Sequence, residues 1–301
     1  MYDITCLYRA TSIGDAVAYL AQHSDATVIS GGTDVLIKLR AGSDAPCRLV
    51  SIHRLPALSG ITLTADGSIC IKPATCFAQI AIDPIILRHI PILASACDQV
   101  GSPQIRETGT IGGNICNGAV SADSAPALLA LEAVVTLESV SGTREVKLRE
   151  FYTGPGKTVR RREELLTNIT IKRENYEGFG GAYTKFGQRK ALEIATIGCA
   201  VSVKLSADKS TIEAYRIAFG VAAPTPVRCP QTERAVIGAA ADEHTLALIA
   251  QSVLSEVNPR DSWRASKVFR TQLIKELSKR VSAEAIRNAG GNVCSTSSTS
   301  L

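Results

Sequence analysis

Two glycine-centred segments hold the residues best suited to chemistry. Ile29-Ser30-Gly31-Gly32-Thr33-Asp34 comes early, and Thr110-Ile111-Gly112-Gly113-Asn114-Ile115-Cys116-Asn117 follows about eighty residues later. Glycine admits positive φ and lets a ligand approach the main chain closely. Successive exposed N–H groups can then form a concave nest for phosphate oxygens. Short polar side chains at Thr33, Thr110 and Asn114, with an acid at Asp123 beyond, suggest one shared dinucleotide site. Either turn taken singly could be a loop required by topology alone. Asp34 could sit near the ligand or cap a following short helix. In Tyr183-Thr184-Lys185-Phe186-Gly187-Gln188-Arg189, Lys185 puts a cation on one face of a strand, where it could serve the site or simply be solvated.

Other chemistries find little support. A full G-x-G-x-x-G is absent, which argues against a Rossmann nicotinamide or flavin fold. Gly154-Pro155-Gly156-Lys157-Thr158 looks like the end of a phosphate loop, but Phe151 stands where its first glycine should be, so a tight structural turn is expected. The four histidines, His23, His53, His89 and His244, match no metal spacing. Nine cysteines occur with no C-x-x-C, and zinc and iron–sulfur sites usually contain a close ligand pair. No metal is expected on this chain. No Ser–His–Asp set stands out either, and a chain poor in acid–base machinery suits a protein that binds and orients a cofactor.

The elements that must position these residues follow from composition and pattern. The 301 residues are 45% hydrophobic and 20% charged, with a net charge of +5 too dispersed to argue for nucleic acid. The beginning, Met1-Tyr2-Asp3-Ile4-Thr5-Cys6, lacks a signal-peptide pattern, so a cytoplasmic protein is expected. Ser12 is a plausible N-cap for a helix burying Ile13, Ala16, Val17 and Leu20. Ala26 to Ile29 reads as a strand feeding the first turn, Val35 to Leu39 as a short buried segment, and Leu49 to Ile52 as another strand. Residues 1–56 thus form a βαβ-like lobe.

Residues 57–175 form a second lobe. Its hairpin is signalled by Asp66-Gly67, and a helical segment runs from Pro84 to Val100 with an interruption near Pro91. The second glycine turn, a helix from Ala127 to Leu131, and strands at 134–138, 145–148 and 164–171 follow. Residues 176–288 read as three strands (182–186, 196–205 and 214–221) and then helices near 245–257 and 262–287, an α+β pattern with an antiparallel sheet. Arg264, Lys267, Arg270, Lys275, Lys279 and Arg280 make the terminal helix basic, either as a solvated face or for subunit docking. Residues 289–301 form a polar, low-complexity tail, expected to be flexible.

On these motifs the chain resembles the FAD-binding subunit of molybdenum hydroxylases, and closely the bacterial xanthine dehydrogenase FAD-binding subunits. The resemblance rests on Ser30 to Leu36, Pro103-Gln104-Ile105-Arg106, Thr110 to Gly118 with Ser121 to Ser124, Lys185-Phe186-Gly187, Ala218 to Pro226, and Trp263-Arg264-Ala265-Ser266. It implies an α+β chain: a two-subdomain FAD-binding fold of the vanillyl-alcohol-oxidase (PCMH) type, followed by a C-terminal CO-dehydrogenase-flavoprotein-like domain with a three-stranded antiparallel sheet and helices.

The resemblance also implies roles. Val28, Ile29, Ser30, Gly31, Gly32, Thr33, Asp34 and Val35 would wrap the FAD pyrophosphate. Gly109, Thr110, Ile111, Gly112, Gly113 and Asn114 would surround the ribityl and phosphate groups. Asp123 would meet the adenosine end, Leu166 would make an apolar contact, and Lys185 would lie near the isoalloxazine and tune it. Val100 stands where some relatives place an aromatic residue over the ring, and Glu193 is a weaker candidate near a nicotinamide path. The implied complex is a heterotrimer with a molybdopterin-binding subunit and a 2Fe-2S subunit, passing electrons from purine oxidation to NAD+. Other readings of the chain are a stand-alone flavin oxidase or reductase, or a structural subunit without flavin.

Overall fold

The computed structural model describes residues 3–42, 47–189 and 191–293. The N-terminal unit runs β1 (Ile4–Arg9), α1 (Ile13–Gln22), β2 (Ala26–Ile29), α2 (Val35–Arg40) and β3 (Cys47–Ser51). Its three strands are parallel in the order β1-β3-β2. Parallel neighbours need crossovers, which α1 and α2 supply. Ser12 caps α1, its Oγ accepting from the Asp15 amide at 3.0 Å. Ala16, Val17 and Leu20 are buried as the periodicity requires. The strand β1 escapes the sequence reading because this edge strand alternates exposed and half-buried residues and carries no long apolar run.

The middle unit contains β4 (Ile61–Leu63), β5 (Ile69–Ile71), α3 (Phe77–Ile82), α4 (Pro84–His89), α5 (Pro91–Asp98), α6 (Pro103–Thr108), α7 (Ile111–Asn117), α8 (Ser124–Ala130), β6 (Val134–Ser139), β7 (Gly142–Lys147), β8 (Tyr152–Gly154), β9 (Lys157–Thr158) and β10 (Leu165–Ile171). Five strands form an antiparallel sheet in the order β4-β5-β10-β6-β7. The helical region expected from Pro84 to Val100 starts earlier, with α3, and is broken into short pieces. Proline lacks an N–H and biases the preceding residue away from helix, so Pro84, Pro91 and Pro103 each open a new helix. The turn at Gly154 to Thr158 is structural: it joins β8 to β9, with Gly156 at φ +68°.

A larger correction concerns the second glycine motif. Gly112 and Gly113 lie in the first turn of helix α7, which Thr110 caps through its Oγ1.

The third unit is β11 (Phe179–Phe186), β12 (Ile197–Leu205), β13 (Ile212–Gly220), β14 (Val227–Arg228), α9 (Pro230–Ala235), α10 (Glu243–Ser252) and α11 (Lys267–Asn288). The expected three-stranded sheet has a fourth, two-residue strand, β14, too short to leave a pattern. One face of this sheet packs on α11 through Val201, Ile217, Leu277 and Val281. The other joins the middle unit's core, where Tyr183, Ala200 and Ala218 cluster with residues of α5 and α8. Of the basic residues assigned to the terminal helix, Arg264 precedes α11, and Arg270 is buried rather than solvated. The tail from Cys294 to Leu301 lies outside the described residues. Among the described residues no helix is long and apolar enough to cross a membrane.

Gly180 is where α11 comes closest to the sheet: a Cβ there would sit 2.2 Å from the Ala289 nitrogen and 2.4 Å from the Ala285 oxygen. Backbone cannot yield as a side chain can. Gly180→Ala should therefore destabilise the protein by about 1–3 kcal/mol, the usual cost of overpacking. An unchanged urea midpoint would show that α11 is not held this tightly.

Candidate functional site

A cavity of about 450 Å³ brings together residues of all three units. The N-terminal unit contributes the end of β2 and the turn into α2, and the middle unit contributes α7, the start of α8 and the beginning of β10. Glu193 and Ile194, which follow β11, supply a third wall. The volume is ordinary for a small-molecule or cofactor site.

The first glycine turn makes this geometry possible. A Cβ on Gly31 would lie 1.8 Å from the Thr108 carbonyl oxygen, so only glycine lets the turn rest against the entry to α7. Gly32 adopts φ +75°, a left-handed conformation that favours glycine. Among the described residues, no partner accepts from the backbone N–H of Gly31, Gly32, Thr33 or Asp34. The Ser30 Oγ beside them is buried and has no hydrogen-bond partner. Buried polar groups are nearly always satisfied, so such a cluster of unused donors marks a place for an acceptor-rich ligand. Asp34 occupies the N-cap position of α2 without capping it.

The second motif behaves differently. The Ile111 amide donates to Thr75 O at 3.1 Å, Gly112 to Pro73 O at 2.9 Å and Gly113 to Thr110 Oγ1 at 3.3 Å. These donors are committed within the protein, so this motif is not an open nest. Its glycines allow packing: a Cβ on Gly112 would meet Pro73 Cβ at 2.3 Å. What it offers the cavity is the surface of Thr110, Gly112, Gly113 and Asn114, and Asn114 Oδ1 accepts from Ser124 Oγ at 2.7 Å.

Of the residues singled out from the sequence, Val28, Ser30 to Val35, Val100, Thr110, Gly112 to Asn114, Asp123, Leu166 and Glu193 line the cavity. Ile29, Gly109, Ile111 and Lys185 do not. Ile29 packs against the cluster of Leu39, Cys47 and Leu49, and Ile111 is fully buried in the middle core. Gly109 accepts from the Phe77 amide.

Lys185 stands behind Asp123, its Nζ 2.8 Å from Asp123 Oδ2 and 2.9 Å from Gln99 O. Tyr183, two residues earlier on the same face of β11, donates its hydroxyl to Asp123 Oδ1 at 2.9 Å. Both charged side chains are more than nine-tenths buried. Burial pushes the Asp123 carboxyl upward, opposed by Lys185 and Tyr183. This ion pair corrects the separate roles expected for the two residues. Adenosine and isoalloxazine are the opposite ends of an extended FAD, and groups in direct contact cannot serve one each.

At the other end of the cavity, Lys38 Nζ reaches from α2 to Asn117 Oδ1 at 2.8 Å, joining the first two units. Glu164 accepts from Arg144 Nε at 2.6 Å, from Arg144 Nη2 at 2.9 Å and from the Arg161 amide at 2.7 Å. Burial pushes its carboxyl upward, but these donors outweigh it and hold it below its ordinary value of 4.5. Glu193 is paired with Arg189 Nε at 2.9 Å, and that contact holds its carboxyl low. Lys38, Asn117, Arg160 and Glu164 all line the cavity but were missed from sequence, because a lone lysine and a cluster of arginine and glutamate look like solvated surface. Tyr183 could have been found, since period-two alternation puts it on the same face as Lys185.

Comparison with known proteins gives two family matches. Residues 2–174 match the FAD binding domain in molybdopterin dehydrogenase, and residues 182–285 match the CO dehydrogenase flavoprotein C-terminal domain. The chain is 44% identical over 293 residues to the putative xanthine dehydrogenase FAD-binding subunit XdhB of Escherichia coli K12, covering 97% of this chain and 100% of that one. It is 30% identical over 289 residues to the nicotinate dehydrogenase FAD-subunit of Eubacterium barkeri, covering 94% and 97%. Among solved structures, carbon monoxide dehydrogenase from Hydrogenophaga pseudoflava, in a form lacking the Mo-pyranopterin moiety of its cofactor, superposes with TM-score 0.90 at 30% identity, covering 96% of this chain and 99% of that chain.

Two predictions follow from the buried charges. Lys185→Met strands the Asp123 carboxylate and should cost about 3–5 kcal/mol, the usual penalty for breaking a buried pair, whereas Asp123→Asn with Lys185→Met should cost less. A single variant no less stable than the double one in urea titrations would disprove the pairing energetics. For Glu164, a carboxyl held low stabilises the fold above its ordinary value of 4.5, and that contribution disappears as pH falls through the lowered value. The stability gap between wild type and Glu164→Gln should therefore be widest near neutral pH and narrow in acid. A gap independent of pH would contradict this.

Proposed function

The chain belongs to the FAD-binding family of the molybdopterin dehydrogenases, and from that premise we propose that it is the electron-transfer flavoprotein subunit of a xanthine dehydrogenase-like molybdenum hydroxylase. It receives electrons from a 2Fe-2S subunit and delivers them as hydride to NAD+, while a molybdopterin-binding subunit oxidises a purine. The three subunits form a cytoplasmic heterotrimer. The observation that carries this reading is the first glycine turn: four N–H groups without partners and an orphaned buried hydroxyl, grouped in the cavity wall. That donor set fits a pyrophosphate. The 44% identity to a xanthine dehydrogenase subunit supports the purine and NAD+ assignments.

Bound FAD supplies the exchange between single electrons and hydride, which no side chain here can perform. The residues that would hold it are those of the cavity wall. The amides of Gly31 to Asp34 and the Ser30 hydroxyl meet the phosphate oxygens through oriented donors, with no side-chain cation required. Gly112, Gly113 and Asn114 give a close, shape-fixed surface, and Leu166 and Val100 exclude water. Asp123, rather than Lys185, presents an atom to the cavity. Lys185 neutralises that carboxylate and fixes the Gln99 carbonyl next to Val100, so it positions the wall and tunes the flavin through Asp123. Glu193 and Ile194 line the side from which a nicotinamide would approach.

The purified chain should be yellow and retain one FAD. Ser30→Ala should weaken FAD binding about tenfold, as expected for losing one hydrogen bond to a charged group. Gly31→Ala should abolish binding, because the new methyl would collide with the Thr108 carbonyl. A colourless wild-type protein that cannot be reconstituted with FAD would overturn the reading. A holoenzyme whose reduced flavin is not reoxidised by NAD+ under anaerobic conditions would remove the acceptor.

A further inference from the structure

The segment before α11 carries an arrangement that the flavin cavity does not use. Trp263 is 82% exposed, with the Arg264 guanidinium 4.2 Å above its ring. Arg270, at the first turn of α11, is only 2% exposed. It donates to Arg260 O at 2.9 Å and to Ser262 Oγ at 2.8 Å. The Nε atoms of both Arg264 and Arg270 are buried without partners.

Among the described residues none of Arg260, Arg264 and Arg270 forms an ion pair. The nearby carboxylates are already occupied, since Asp261 accepts from the Lys267 amide at 2.6 Å and Glu193 is held by Arg189. Burial pushes the Arg270 guanidinium downward, and Arg260 and Arg264 push it further. A desolvated cation without a counter-charge is costly, and in an assembly a partner's carboxylate offsets that cost.

This patch adjoins the cavity. Gln188 Nε2 donates to Arg264 O at 3.0 Å, and Phe269 meets Phe186 edge to face at 5.9 Å. The same loop carries Leu192 and Ile194, both exposed, and Ile194 also lines the cavity wall. An exposed tryptophan flanked by arginines, with apolar neighbours and a surplus of positive charge, is the composition of an interface hot spot that selects an acidic partner.

We propose that Trp263 and the Arg260–Arg264–Arg270 cluster form the docking surface for an acidic face of the 2Fe-2S subunit. The cluster's charge selects the occupant, and its continuity with the cavity brings that subunit to the flavin. The assignment rests on the flavoprotein reading given above.

The test uses the FAD-loaded full chain and the 2Fe-2S subunit that co-purifies with it, with affinity measured by titration calorimetry at several salt concentrations. Trp263→Glu and Arg264→Glu should each weaken binding tenfold or more, with FAD content unchanged. Arg264→Glu should also flatten the salt dependence, and Lys279→Glu, at an exposed site farther along α11, should bind as wild type. If the wild type carries FAD and binds the subunit but both variants bind equally well, or if Lys279→Glu weakens binding as much, the docking surface lies elsewhere. If the wild type carries FAD but does not bind the subunit, or if it self-associates and Trp263→Glu disperses it, the proposed occupant is wrong. A wild type without FAD refutes the flavoprotein reading itself.

Discussion

A carboxylate and an ammonium buried together at the cavity wall tie the three parts of this chain into one site. Asp123 immediately precedes α8 in the middle unit, and Lys185 lies near the end of β11 in the third. Their contact, with Tyr183 on one carboxylate oxygen and Gln99 O on the ammonium, closes a network in which each charge meets a partner. Removing two charges from water is compensated only when geometry and extra hydrogen bonds are good, so such a pair adds little net stability but penalises any other arrangement. Sliding β11 along α5 and α8 would strand both charges. The loop that carries Glu193 and Ile194 is thereby held at the cavity, and so is the segment from Gln99 to Gly101, where Val100 and Gly101 face inward.

Against that rigid background the two glycine motifs divide their work. In the first, glycine leaves amides unpaired and a hydroxyl orphaned, a local defect by the standards of a folded interior. In the second, glycine lets α7 press against Pro73 so closely that the leading amides are consumed. One motif supplies donors and the other supplies a surface. They meet where Gly31 touches the Thr108 carbonyl, which seats the N-terminal unit against the middle one. The Lys38–Asn117 contact adds a second tie between the same two units.

Much of this was legible in the sequence, and the illegible parts share physical causes. Apolar periodicity located α1, β2, β3 and the long strands β12 and β13, because burial on one or both faces leaves a run of buried side chains. The glycine motifs identified most of the cavity lining. Sequence could not separate an open nest from a closed one, because that depends on whether Pro73 and Thr75, distant in the chain, supply acceptors. Nor could it show that Lys185 is spent on Asp123, a contact across sixty-two residues. Edge strand β1, two-residue β14 and the proline-broken helices are too short or too exposed for pattern alone. Arg270 was misjudged for a related reason: a charged residue on a helix is normally solvated, and only tertiary packing removes its water.

The cavity's carboxylates bear on what the protein contributes to catalysis. Asp123 is neutralised by Lys185, Glu164 by Arg144 and Glu193 by Arg189. A general acid or base must change its protonation near the working pH. Glu164 and Glu193 are held in their charged forms by these partners, and Asp123 is fixed by two donors. Among the described lining residues there is no histidine. A site so furnished holds and orients a ligand and sets its electrostatic surroundings, and it leaves proton transfer to solvent or to other subunits. This is the division of labour expected where the redox chemistry belongs to a cofactor. It explains how a wall built of backbone amides, glycine surfaces and satisfied ion pairs serves an oxidoreductase without any catalytic side chain of its own.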